Sequence, residues 1–307
     1  MRSALPVAAY LTFLATPALA ESPRVVVDTA PLHSLVARVM EGAGTPDLLL
    51  PPGGSPHDAA LRPSDARRLS QADLVIWTGP AFLPWLSDSL AALAPEAETL
   101  AMLEVSGWER LPLRHDPAFE TEHEGHEEHE DDTRGEDGTD PHAWLDPKVA
   151  AVWMERLAAT LAEADPENAD LYRDNASTAI EADAALSDRI AERLGPLSGR
   201  PYLVPHDAYQ YFERRFALPA AGALALSDAS APGPARISSL RDTVEAGGIV
   251  CVLSDPETPA DLVALLREGT SAATAPTDPD GLLLTPGPDL YPALIEGLAD
   301  ALQDCLG

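Results

Sequence analysis

Residues 167–194 contain neither glycine nor proline, although the chain as a whole carries 30 prolines and 20 glycines. An unbroken polar-apolar stretch of this length reads as one helix of roughly 40 Å at 1.5 Å per residue, longer than a typical globular helix. Asp165-Pro166-Glu167 supplies a start, with an aspartate at the N-cap and a proline in the first turn. A rod of this size spans a small domain and acts as a strut between the segments on either side.

Both flanking segments alternate short strands with helices. Upstream, residues 24–28 (RVVVD), 47–50 and 72–78 (ADLVIWT) read as strands. Helices are expected at 31–40, 63–71 (with Ser64 contributing to its N-cap) and 148–164. Downstream, strands are expected at 202–204 and 249–253, and helices at 207–216, 238–245, 259–268 and 291–306. Such alternation argues for mainly parallel sheets covered by helices. The fold class is therefore α/β, as two lobes with mainly parallel sheets joined by one long rigid helix. The expected boundaries are a lobe over 21–166, a linking helix over 167–195 and a second lobe over 196–307.

Residues 1–20 stand apart. Arg2 provides a positive start, residues 4–16 are apolar, and Ala18-Leu19-Ala20 is a small-residue cleavage pattern, so a signal peptide cut after Ala20 is expected. The apolar run is shorter than the roughly 20 residues of a membrane span and is broken by Pro6 and Pro17. The chain is thus expected to be exported. With 50 acidic against 20 basic residues its formal charge is −30, which disfavours nucleic acid and anionic lipid as partners and favours cations. In an oxidising compartment the two cysteines, Cys251 in a buried strand and Cys305 in the last helix, can pair. Such a bridge closes a loop of about 55 residues and contributes roughly 4 kcal/mol in the chain-entropy model. Two free buried thiols are the alternative.

Three histidines occupy similar places. His57 follows the 47–50 strand, His206 follows the 202–204 strand, and His142 ends an acidic segment. In open α/β sheets ligands bind beyond the carboxyl ends of strands. One histidine there usually caps or hydrogen-bonds. Three of them, each beside an aspartate or proline, point jointly to a tetrahedral Zn²⁺ site. His33 falls within a helix and reads as structural. Asp58, Asp140 and Asp207 lie one or two residues from the histidines and are candidates to orient them, with a helix N-cap an equal reading for Asp207. Residues 115–141 are crowded with acids, lack apolar periodicity and read as a flexible surface loop. His115, His123, His126 and His129 within it offer either an auxiliary weak metal set or a solvated charge run.

At this point the chain resembles a known family, the periplasmic zinc-binding (ZnuA-like) receptors of ABC-type zinc importers. The motifs that carry the resemblance are Gly54-Ser55-Pro56-His57-Asp58 with Leu61-Arg62-Pro63-Ser64-Asp65, Asp140-Pro141-His142-Ala143-Trp144-Leu145-Asp146-Pro147, and His206-Asp207-Ala208-Tyr209-Gln210-Tyr211-Phe212. A histidine- and acid-rich loop before the second motif, and cysteines placed like Cys251 and Cys305, belong to the same pattern. The resemblance implies metal held between two lobes by His57, His142 and His206, and an imidazole at 206 favours Zn²⁺ over Mn²⁺. For the fourth ligand it offers Asp278, in Thr277-Asp278-Pro279, or else water or a loop histidine; Pro56 stands where some relatives carry a glutamate ligand.

The expected function is high-affinity capture of Zn²⁺ in the periplasm by a monomer that delivers it to an ABC permease, with a periplasmic zinc chaperone as a further partner and no enzyme activity. A zinc hydrolase using a three-histidine zinc-water site is the rival reading, and a buffer or adhesin using only the acidic loop is a third. Deleting residues 120–137 separates the loop from the site. A weak zinc-binding phase should vanish from calorimetric titrations while the tight phase persists, and that weak phase in the intact chain should fade below about pH 6 as the histidines protonate. An unchanged titration curve and association rate would leave the loop a spacer.

Overall fold

The computed structural model describes residues 22–50, 53, 61–115, 138–226, 232–246 and 248–307. The first half builds β1 (Val25–Val27), α1 (Ala30–Val39), β2 (Asp47–Leu48), α2 (Pro63–Ser70), β3 (Leu74–Trp77), α3 (Pro84–Leu93) and β4 (Glu98–Ala101). Its sheet is parallel throughout, in the order β2-β1-β3-β4. β1 and β3 are buried along their whole length. That matches their unbroken apolar composition, since a parallel sheet is covered on both faces. The second half forms β5 (Tyr202–His206) and β6 (Gly222–Ala225), with β7 (Cys251–Val252) on the other side of β5, again all parallel. Parallel bridges from Cys251 to Ala273 and from Ser254 to Pro276 extend that sheet by one more segment.

Prolines place many of the helix starts. α1, α2 and α3 each carry one in their first turn, as do α4 (Pro147–Ala164) and α7 (Pro234–Glu245), where the missing N–H costs no helical hydrogen bond. Asp146 caps α4 by accepting from Lys148 N at 2.8 Å. The start of α2 differs in detail from the sequence reading. Asp65, not Ser64, satisfies the Arg62 N–H at 2.9 Å, and Ser64 donates to Asp65. In the second half, α6 (Gln210–Phe216) opens three residues later than expected, because His206 to Tyr209 form a tight turn in which Ala208 N bonds His206 O at 2.9 Å.

The long helix is present as α5 (Ala169–Leu194), 26 residues with a short 3₁₀ turn at each end. Its buried face is Tyr172, Ala176, Ala179, Asp183, Leu186, Ile190 and Leu194, a stripe at spacings of three and four. Asp183 is tolerated within that stripe because Arg38 of α1 pairs with it at 2.7 Å and also donates to Ala179 O at 3.0 Å. α5 packs on α4, on α1 and on the final helix α9 (Leu290–Leu306). One apolar core runs from β1 through α5 to α9. A smaller cluster lies under α7 and α8 (Ala260–Arg267).

α9 is held at both ends. Tyr291 N donates to Ser34 Oγ of α1 at 2.9 Å, and Ser34 donates to Pro288 O. At the other end Cys305 is joined to Cys251 of β7, with Cα atoms 5.7 Å apart, so the paired alternative holds. Replacing both cysteines by alanine should lower unfolding stability by about 4 kcal/mol, as expected for a crosslink closing a loop of this length. Denaturant melts of the variant and the oxidised parent measure it, and matching midpoints would show that α9 docks without the crosslink.

Candidate metal centre

Segments beyond strands of both sheets meet here, Phe82 after β3 lying against His142 and His142 against His206 at the end of β5. β5 ends at His206, Asp255 lies just beyond β7, and the 277–280 turn follows the bridged segment at 273–276. On the first-lobe side, His142 precedes a 3₁₀ turn, Ala143–Leu145, that leads into α4. Both histidines are buried, at 7% and 3% exposure, and their ring centroids are 5.7 Å apart. His57, with Asp58, His123, His126 and His129, lies outside the described residues. His115 is described and exposed, beyond the strand-like pairing of Pro112 with Thr139. Among the described residues no set of three or more metal-binding side chains gathers, so the described part of the centre is the His142–His206 pair.

A buried carboxylate fixes each imidazole. Asp140 Oδ1 accepts both His142 Nδ1 at 2.9 Å and His142 N at 3.0 Å. Asp255 Oδ2 accepts His206 Nδ1 at 3.0 Å. A carboxylate can only accept here, so each ring carries its proton on Nδ1 and its lone pair on Nε2. His142 Nε2 is buried and makes no hydrogen bond among the described residues, a cost that a bound cation would remove. Phe82 packs edge-on against His142 and against Trp144, and Tyr209 packs against His206, walling the pair with aromatic rings.

Asp140 has the orienting role expected for it; Asp207 does not. Its carboxylate accepts the Arg114 guanidinium, with Nε 2.9 Å from Oδ1, and Arg114 also reaches Glu213 of α6 at 3.0 Å. Nor does it cap α6, whose N-cap is Tyr209. Asp207 is the middle residue of the tight turn in which Ala208 N bonds His206 O, and that turn carries its carboxylate to Arg114 rather than to the ring's Nδ1. Asp255, at the end of the neighbouring strand, lies on the correct side. Burial raises the carboxyls of both Asp207 and Glu213 although Arg114 pulls them down. Burial would raise Asp255 as well, but its hydrogen bonds from His206 and Thr258 prevail and hold it below the usual range. The sequence contained a cue to Asp255, a carboxylate two residues beyond a buried apolar strand.

Asp278 sits in a turn tied to the histidine segments. Trp144 Nε1 donates to the neighbouring Pro279 O at 2.9 Å, and the Tyr209 and Thr277 hydroxyls are 2.7 Å apart. Its two oxygens accept Leu282 N and Leu283 N, each at 2.8 Å, while burial raises its carboxyl. His33 is structural as expected, its Nε2 bonding Pro46 O.

The family model for the periplasmic zinc-uptake complex component A, ZnuA, matches residues 25–305. The chain belongs to the ZnuA family. The high-affinity zinc uptake system protein ZnuA of Paracoccus denitrificans is 41% identical, over 99% of this chain and 98% of that protein. Its counterpart in Brucella abortus is 38% identical, over 92% and 91%. A crystal structure of ZnuA shares the fold with a TM-score of 0.76 at 19% identity, over 93% of this chain and 100% of that one. The resemblance carried by three short motifs therefore extends along the chain. The ZnuA family consists of substrate-binding proteins of zinc transport, which is not an enzyme class.

Replacing Asp255 by asparagine tests the orienting hydrogen bond. The amide oxygen of the Asp255→Asn side chain would keep the Thr258 contacts and its N–H would face His206, driving the ring proton onto Nε2. Zinc affinity should fall about 10- to 100-fold with the apo protein still folded. Unaltered affinity by chelator competition would show that the His206 tautomer is immaterial.

Proposed function

We propose that this chain is a periplasmic receptor that captures Zn²⁺ between its lobes and delivers it to an ABC importer permease. The observation that carries the reading is the buried pair of imidazoles, each held by a carboxylate with its lone pair on Nε2, in a chain of the ZnuA family. His57, His142 and His206 are the proposed ligands. Imidazoles in a small aromatic-walled site suit tetrahedral Zn²⁺ better than an oxygen-seeking octahedral ion. Asp278 is the candidate fourth ligand. Because both its oxygens already hold backbone N–H groups, water competes with it for that position.

The role proposed is binding without catalysis. A zinc hydrolase needs a carboxylate or similar base aimed at the metal-bound water. Asp140 and Asp255 are occupied in holding the histidines, and Asp207 in holding Arg114. We further place the mature chain in the periplasm as a monomer cut after Ala20, with the permease as its main partner and a periplasmic zinc chaperone as a second. Among the described residues no helix is long and apolar enough to cross a membrane. The acidic loop with its four histidines is proposed as an auxiliary, weaker zinc trap.

His57→Ala, His142→Ala and His206→Ala should each weaken zinc binding by orders of magnitude, since one lost ligand removes much of a tetrahedral site's affinity. Asp278→Ala should have a smaller effect where water takes its place. Metal content after purification and calorimetry of the four variants measure this. A histidine variant that keeps full affinity removes that residue from the ligand set, and three that do so remove the site.

A further inference from the structure

The two histidines come from opposite sides of the cleft, and each side's supporting hydrogen bonds reach across to the other. Asp140 spends Oδ1 on His142. Its Oδ2 accepts the side-chain amide of Gln210 at 3.3 Å, and the same amide donates to Pro112 O at 3.0 Å. Gln210 is the first residue of α6, four residues after His206, so a group from the second lobe steadies the carboxylate that orients the first lobe's histidine. The opposite arrangement is also present. Arg114 comes from the first lobe, on the segment where Leu113 N bonds Gly138 O and Asp140 N bonds Leu111 O, both at 2.9 Å. It crosses to Asp207, the neighbour of His206, and to Glu213. Both carboxylates are buried, at 6% and 4% exposure.

Resting on the reading of His142 and His206 as ligands, we propose that Gln210 and Arg114 are reciprocal positioning residues that make the two half-sites one unit. Neither touches the metal. Each holds the partner lobe's ligand segment, so that a lobe that shifts takes the other's histidine out of line with it. Zinc retention then depends on both braces, and its release is a single event rather than the loss of one ligand followed by another. The cue in the sequence is small: Gln210 lies within the third histidine motif, Arg114 stands well before the second, and nothing in their spacing brings them together.

Chelator-triggered stopped-flow release of zinc from the full chain, with thermal unfolding of the apo protein alongside, tests the proposal. Gln210→Met keeps length and helix propensity but loses both donors, and should speed zinc dissociation roughly five- to tenfold, less than loss of a direct partner of the histidine, with the apo midpoint unchanged. Gln210→Glu sets a carboxylate against Asp140 and should release zinc faster still. Arg114→Lys keeps the charge but loses the bidentate fork and should also speed release. Combining it with Gln210→Met should give less than the product of the two single effects, because residues acting as one unit are non-additive. Wild-type dissociation rates in Gln210→Met and Gln210→Glu, or a lowered apo midpoint without faster release, would overturn the brace. Full zinc binding in His142→Ala and His206→Ala would instead overturn the ligand assignment beneath it.

Discussion

Everything at the cleft depends on two hydrogen bonds of the same kind, an imidazole Nδ1–H given to a buried carboxylate. They choose the tautomer, set the ring plane and leave Nε2 as the only basic nitrogen of each ring. Without Asp140 and Asp255, two neutral imidazoles 5.7 Å apart would be free to turn either nitrogen toward each other. With them, the electron pairs are committed before any ion arrives. The two sheets serve this end through the segments beyond their strands, Phe82 after β3 lying against His142 and His142 against His206 at the end of β5. The aromatic rings of Phe82, Trp144 and Tyr209 then restrict how much water can share the space.

Much of the scaffold could be read from the sequence because it rests on local chemistry. Apolar runs such as Val25–Val27 and Leu74–Trp77 are parallel-sheet strands because no polar face interrupts them. The 26-residue α5 follows from an absence of breakers. Other elements were not legible. β6 is Gly-Ala-Leu-Ala, with none of the β-branched or aromatic residues that mark a strand, and is recruited by pairing with β5 through Leu203–Gly222 and Val204–Ala223. β4, half exposed and beginning with a glutamate, is likewise an edge strand made by its neighbour.

The site was legible at the level of residue type and only partly at the level of contact. Asp140 could be paired with His142 from spacing alone, since an aspartate accepts readily from the backbone N–H two residues on in a local turn, and here the same oxygen takes the ring Nδ1 as well. The same proximity argument failed for Asp207, because the chain turns tightly at that residue and its carboxylate meets Arg114 instead. The correct partner, Asp255, comes from 49 residues further along the chain, and only the order of strands in the sheet brings it there. Arg114, meeting Asp207 across a separation of 93, is invisible for the same reason.

The final helix has a consequence for when this protein can exist in folded form. Its first turn bonds Ser34 across 257 positions of sequence, Tyr291 also donates to Trp144 O, and its last turn holds Cys305 against β7. Elements far apart in the sequence therefore complete each other. Contacts of such long range form slowly. Until residues 290–306 emerge, α1, the His142 segment and β7 each lack a neighbour, and any chain stopped short of Leu290 leaves apolar surface bare on both lobes. The core is complete only when that helix is in place, and the crosslink can form only where Cys305 has reached Cys251, so the helix locks a fold whose other parts must already be gathered.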